Sequence, residues 1–289
     1  MKIKLWINAA RPKTLAASIV PIVCAMLILP NQDLFKSHIF ILTITAAIII
    51  QVITNYINDL YDFLSGADKE RIGPQRMLES GLLSQEEMAV AIKILFILGI
   101  ICGFPLVIHG GWPILIIGLS AFLFAYLYTA GPFPLAYHGL GDIFVFIYFG
   151  VISVMGSYYL QTGFIDKNVM WLGISIGAKN VILLAVNNIR DYSSDKKCNK
   201  NTLVVILGRR FGKLQVLFMI ILSYISLFYL SIGLDSKGIF YVSMISLPLS
   251  LNILSDIYSK KGEILNKTLG KVVILLCLDT LLLTIGVSI

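Results

Sequence analysis

Apolar stretches long enough, or nearly long enough, to cross a bilayer recur about nine times along this 289-residue chain. They lie near Leu15–Leu29, His38–Leu60, Met88–Val107, Trp112–Tyr128, Leu140–Leu160, Val169–Val186, Leu214–Ile232, Ile239–Leu254 and Val272–Ile289. In hydrocarbon every backbone N–H and C=O must be satisfied within the protein, so only helices and closed barrels span it. Barrel strands alternate over about ten residues, whereas these runs are continuous. Charged residues make up 13% of the chain, about half the usual share in soluble domains. The expectation is an all-α integral membrane protein, residues 1–289 forming one transmembrane domain with no second domain. The basic N-terminal stretch ahead of the first apolar run superficially resembles a signal peptide. The run ends in Leu29-Pro30-Asn31 without a small-residue cleavage pattern, so it reads as a retained first helix.

The net charge of +7 is distributed by topology. With the N-terminus inside, Lys2, Lys4, Arg11, Lys13, Lys69, Arg71, Arg76, Lys196, Lys197, Lys200, Arg209, Arg210, Lys213, Lys260, Lys261, Lys267 and Lys271 all fall on the inner side. Opposite loops hold Lys36, Lys167 and Lys237. The positive-inside rule then places the N-terminus and the basic loops in the cytoplasm, the C-terminus outside, and the chain in the cytoplasmic membrane. Nucleic acid is not needed to explain the basic balance. Cys24, Cys102, Cys198 and Cys277 form no CxxC pair and read as buried, inert thiols.

Two acid-rich patches interrupt the apolar pattern. One is Asn55-Tyr-Ile-Asn58-Asp59-Leu-Tyr-Asp62; the other is Asn187-Asn188-Ile-Arg190-Asp191-Tyr-Ser-Ser-Asp195. Ionisable groups in membrane segments are expensive and mark functional sites by default. Residues three and four apart share a helix face, so Asn55, Asn58, Asp59 and Asp62 point one way, as do Asn188, Asp191 and Asp195. Each patch is followed by a hydrophilic basic loop, Ser65–Glu87 and Ser193–Lys213, placed to fold over it as a lid. The two units look like a weak internal duplication around one cavity. Hard divalent cations take oxygen ligands, and Mg²⁺ is held by one or two carboxylates plus substrate phosphates. Two such faces suit magnesium with a diphosphate between them, and Lys69, Arg71, Arg76, Lys196 and Lys200 suit the same anion. The bland alternative is that the acids pair with neighbouring Lys and Arg at the membrane edge, Arg190 being one such neutralising partner.

Other polar positions are less telling. Asp142, after Gly139-Leu-Gly141, reads equally as a helix cap or a participant. His138 reads as a loop histidine, and Asp279 as a group satisfied by a buried partner. Tyr126, Tyr128, Tyr158 and Tyr159 are candidate pocket residues.

The motifs as written are Asn58-Asp59-x-x-Asp62-x-x-x-Gly66-x-Asp68-x-x-Arg71-x-Gly73-Pro74-x-Arg76 and Asn187-Asn188-x-Arg190-Asp191-x-x-x-Asp195-x-x-x-x-Lys200-Asn201-Thr202-Leu203. With Ala9-Ala10-Arg11-Pro12-Lys13-Thr14-Leu15 and the stretch from Tyr128-Thr-Ala-Gly131-Pro132 to Tyr137-His138-Gly139-Leu140-Gly141-Asp142, they resemble the intramembrane aromatic prenyltransferases of the UbiA superfamily. Within it they resemble the branch that prenylates 1,4-dihydroxy-2-naphthoate in menaquinone synthesis. The likeness covers most of the chain and thins after about Arg210. Some relatives place a lysine a few residues after the tyrosine matching Tyr128; here that stretch is Pro134-Leu135-Ala136, without a cation.

The resemblance implies a bundle of about nine helices with cytoplasmic cap loops over a central cavity. It implies polyprenyl diphosphate and an aromatic acceptor as substrates, and release of diphosphate and CO₂ to give a demethylmenaquinone. Asn58, Asp62, Asp191 and Asp195 are the expected core of the Mg²⁺ site, with Asp59, Asp68 and Asn188 next to them. Lys69, Arg71, Arg76, Lys196 and Lys200 are the expected diphosphate clamp, with Tyr128 against the leaving group. Arg11 and Lys13 are placed at the acceptor carboxylate. Two readings compete: transfer to another acceptor, such as 4-hydroxybenzoate or haem, and a cation-coupled transporter. The second is disfavoured because transporter sites lie near mid-membrane, whereas these patches sit at helix ends.

Overall fold

The computed structural model describes residues 2–67 and 73–289, and among them the chain is nearly all helix. In order the helices are α1 (Lys2–Ala10), α2 (Pro12–Leu27), α3 (Ser37–Leu64), α4 (Gln85–Gly110), α5 (Trp112–Leu127), α6 (Gly141–Phe146), α7 (Ser153–Thr162), α8 (Val169–Lys197), α9 (Leu203–Leu207), α10 (Arg209–Gly233), α11 (Lys237–Ser243), α12 (Leu247–Ser259) and α13 (Leu265–Val287). Among the described residues seven helices, some built from consecutive segments, are long and apolar enough to cross a bilayer. The pair α1 and α2, bent by 52°, is together long and apolar enough for an eighth. The shorter apolar helix α5 completes the nine apolar runs with 16 residues.

The bend has a local cause. Arg11 takes φ 52° and ψ 70°, and Pro12 opens α2. Asn55 of α3 holds the bend by donating to the Ala10 carbonyl at 2.8 Å and to Thr14 Oγ1 at 3.1 Å. Thus Asn55, from the first patch, works as a clasp between elements.

Helix length positions the acids. α3 and α8 have 28 and 29 residues. At about 1.5 Å per residue each is more than 40 Å long, against a hydrocarbon core of about 30 Å. The acids lie in the C-terminal turns of both helices. This corrects the reading of Ser193–Lys213 as a loop: α8 runs on to Lys197 and α10 begins at Arg209. An apolar run ends where the hydrocarbon ends, not where the hydrogen-bond ladder ends. Lys196 and Lys197 in the last turn of α8 complement its dipole.

α8 is the axis of the bundle: 72% of its apolar window is buried, against 11% for α4. It meets the fifth span backbone to backbone. A Cβ on Gly150 would stand 2.4 Å from Gly177 Cα and 2.6 Å from the Gly173 carbonyl, so only glycines permit the approach. At this contact residues Ile147–Ile152 widen into a π-helical turn, and Asn180 Nδ2 takes the Phe149 carbonyl at 2.7 Å. Asp279 of α13 is paired with buried Lys179 of α8, the buried partner the sequence reading required. The reading of four buried thiols is corrected: all four are free, but Cys24 alone is buried and Cys277 faces outward.

Candidate active site

Both patches line one cavity of about 760 Å³. Of the predicted residues, Arg11, Lys13, Asn58, Asp59, Asp62, Arg76, Tyr128, Asn188, Asp191, Asp195 and Lys200 border it. Lys196 does not; it is exposed, in the last turn of α8. Asp68, Lys69 and Arg71 lie outside the described residues.

The first patch is organised by Arg76. The loop after α3 folds back because Met77, Leu78 and Leu83 pack with Ala9, Tyr56 and Met88 in a buried cluster. That packing delivers Arg76 Nη2 to Asn58 Oδ1 and to Asp62 Oδ2, the latter at 3.1 Å. Arg11 Nη2 also reaches Asn58 Oδ1, at 3.2 Å, and Asn58 Nδ2 donates to Thr129 Oγ1 at 3.2 Å. Asp59 Oδ2 accepts the Met77 backbone N–H at 3.3 Å, so this acid anchors the lid.

Asp62 is fully buried. Besides Arg76 it accepts from Lys200 Nζ, at 3.2 and 3.1 Å from its two oxygens. It also accepts from the Tyr137 hydroxyl at 2.7 Å. Burial first, then the Asp62 charge, push the Tyr137 hydroxyl above its ordinary range, keeping it a donor. Lys200 stands 5.1 Å over the Tyr137 ring, and Asn201 N donates to the Tyr137 carbonyl at 3.2 Å. The turn lacking a cation at Pro134-Leu135-Ala136 thus meets one delivered by the segment after α8. Tyr137 falls inside one of the sequence motifs without standing out there as a site residue. Its spacing carries no signal, because its role depends on a contact 75 residues away.

The second patch is organised by Arg190, which is 1% exposed. Its guanidinium forks Asp191, with Nε to Oδ1 at 2.8 Å and Nη2 to Oδ2 at 2.5 Å. It also donates to Asn187 Oδ1 and Asn266 Oδ1, each at 2.7 Å. Every guanidinium nitrogen therefore has a protein partner, and Arg190 holds Asp191 in place. Gln215 holds Asp142 at 2.8 Å, and Asp142 borders the same cavity. Of the four candidate tyrosines only Tyr128 lines it. Tyr126 meets Tyr61, Tyr159 donates to the Gly110 carbonyl at 3.1 Å, and Tyr158 is in the core.

The bland pairing of acids with bases is therefore real, and it occurs inside a shared cavity. Among the described lining residues five cations (Arg11, Lys13, Arg76, Arg190, Lys200) face five carboxylates (Asp59, Asp62, Asp142, Asp191, Asp195). A polyanion entering a wall of balanced charge must bring counter-cations of its own. The available donors are hard carboxylate and carboxamide oxygens, the ligand type of Mg²⁺. No group of three or more His, Cys, Asp or Glu gathers among the described residues. Such a set fits a cation whose coordination is completed by a ligand's own oxygens rather than by a protein cage.

Taken together, the structure is a multi-pass helical bundle whose cavity is lined by paired acids and bases. Residues 18–266 match the UbiA prenyltransferase family, and the chain belongs to that family. It is 31% identical to a 1,4-dihydroxy-2-naphthoate octaprenyltransferase of Haemophilus influenzae, over 100% of this chain and 97% of the relative. It is 36% identical to the enzyme of the same name from Escherichia coli, over 70% of this chain and 68% of that one. In fold it is similar to a UbiA homologue from Archaeoglobus fulgidus bound to GPP and Mg²⁺. That comparison has a TM-score of 0.72 and 15% identity, over 99% of this chain and 100% of that one.

Proposed function

We propose that the protein transfers a polyprenyl group from polyprenyl diphosphate to 1,4-dihydroxy-2-naphthoate in an Mg²⁺-dependent reaction. Diphosphate and CO₂ leave, and a demethylmenaquinone is formed. The observation that carries this reading is the single cavity bordered by both acid patches, joined to the names of the relatives aligned over most of the chain. By the distribution of positive charge the cavity mouth faces the cytoplasm.

Asn58, Asp62, Asp191 and Asp195 are the residues that would hold magnesium, with Asp59 and Asn188 beside them. When bound, magnesium supplies Lewis-acid neutralisation of diphosphate charge. Arg76 and Lys200 are poised to move from Asp62 to phosphate oxygens as the allylic C–O bond breaks and its electron pair leaves with diphosphate. Tyr128 borders the cavity where a hydroxyl donor can meet the leaving oxygen. Apolar side chains, Val145, Phe149, Leu183, Leu184 and Leu269 among them, form part of the remaining wall. They keep water from the allylic cation until the electron-rich ring attacks it. Arg11 and Lys13 border the same space and suit the acceptor carboxylate. Asp68, Lys69 and Arg71 remain assigned to the metal and diphosphate by motif alone.

The test is to incubate membranes containing the protein with polyprenyl diphosphate and, separately, the dihydroxynaphthoate, 4-hydroxybenzoate or haem, with and without Mg²⁺. Prenylated naphthoquinone that depends on Mg²⁺ is the expected product. Preference for another acceptor would refute the substrate assignment. Ion-driven uptake into sealed vesicles without prenylated product would favour transport instead.

A further inference from the structure

Asn266 is the second residue of α13 and lies outside both acid motifs. Its Oδ1 accepts from Arg190 Nη1 at 2.7 Å. A guanidinium has donors only, so the amide's orientation is determined: oxygen toward Arg190, nitrogen turned away. Asn266 also borders the cavity, and no described residue accepts from its Nδ2. Asn266 Nδ2 thus brings two N–H donors to a wall where Arg190, 1% exposed, has four of its five N–H donors engaged by Asp191, Asn187 and Asn266.

We propose that Asn266 Nδ2 donates to an anionic oxygen of the bound substrate, on either the diphosphate or the aromatic carboxylate. Its Oδ1 meanwhile holds Arg190 and, through it, Asp191. This rests on the prenyl-transfer reading. It adds a substrate contact supplied by the last helix.

Asn266→Asp separates the two roles. An aspartate still offers Arg190 an oxygen, so the fold and the Arg190–Asp191 fork persist, whereas the donor is replaced by a negative charge facing an anion. The measurements are KM for each substrate and the affinities of inorganic diphosphate and of the dihydroxynaphthoate for the magnesium-loaded protein, for wild type, Asn266→Ala and Asn266→Asp. The expected result is a rise of about tenfold or more in KM for one substrate in N266D, exceeding that in N266A. A rise for polyprenyl diphosphate with weaker diphosphate binding assigns the contact to the leaving group. A rise for the naphthoate with diphosphate binding unchanged assigns it to the carboxylate. Wild-type KM values and affinities in N266D would overturn the proposal and leave Asn266 as an anchor for Arg190 alone. Should wild type form no prenylated product, the reaction itself is refuted, and the two binding comparisons still judge Asn266.

Discussion

Replacing Lys200 by Gln should change metal and donor dependence in opposite directions. Lys200 Nζ lies 3.2 and 3.1 Å from the two oxygens of fully buried Asp62, and its side chain is 15% exposed. At 3.1 Å the Coulomb attraction is about 5 kcal/mol for an effective dielectric of about 20. Desolvation offsets most of it, leaving about 1.5–3 kcal/mol for a charged hydrogen bond of this kind. A cation that binds Asp62 must displace this contact. Removing Lys200 should therefore lower the Mg²⁺ concentration for half-maximal activity by about tenfold, the equivalent of about 1.4 kcal/mol. The same change removes a charge from the diphosphate clamp, so KM for the polyprenyl donor should rise by about tenfold or more. Arg76 remains at 3.1 Å to keep Asp62 paired and the protein folded. Initial rates over a grid of Mg²⁺ and donor concentrations measure both constants. A Mg²⁺ constant that rises or stays unchanged in K200Q would refute the idea that Lys200 and metal compete for Asp62.

Asp62→Asn and Asp191→Asn should each lower turnover by about a hundred- to a thousandfold, the scale of losing a principal electrostatic group, with membrane insertion retained. Near-normal rates in either variant would remove them from the metal site. Arg76→Ala should raise KM for the donor more than for the acceptor, whereas Lys196→Ala, on the exposed side of α8, should leave both within about twofold, as expected of surface positions. The reverse order would move the clamp from the lid to the end of α8. Gly150→Ala should destabilise the protein by about 1–3 kcal/mol, because the added carbon meets the backbone of Gly173 and Gly177. An unchanged melting temperature in detergent would count against that helix contact.

Much of this protein is legible one residue at a time. Hydrocarbon tolerates only long apolar helices, so the nine runs and their charged connections specify a helical membrane bundle. The three- and four-residue spacings within Asn58–Asp62 and Asn188–Asp195 specify two polar faces, because helix periodicity is local. Helix ends were less legible: α8 continues to Lys197 although its apolar run stops at Val186, since hydropathy reports the solvent rather than the backbone. What each polar group does was decided only by the tertiary structure. The sequence holds two arginines near two acids, but packing sends Arg76 across the lid to Asp62 and turns Arg190 inward as a strut for Asp191. Lys200 and Tyr137 meet Asp62 from 138 and 75 residues away, and Asn266 meets Arg190 from another helix. Periodicity fixes which side of its own helix a residue occupies. Which charge it meets there depends on how separate helices pack, and no local pattern encodes that.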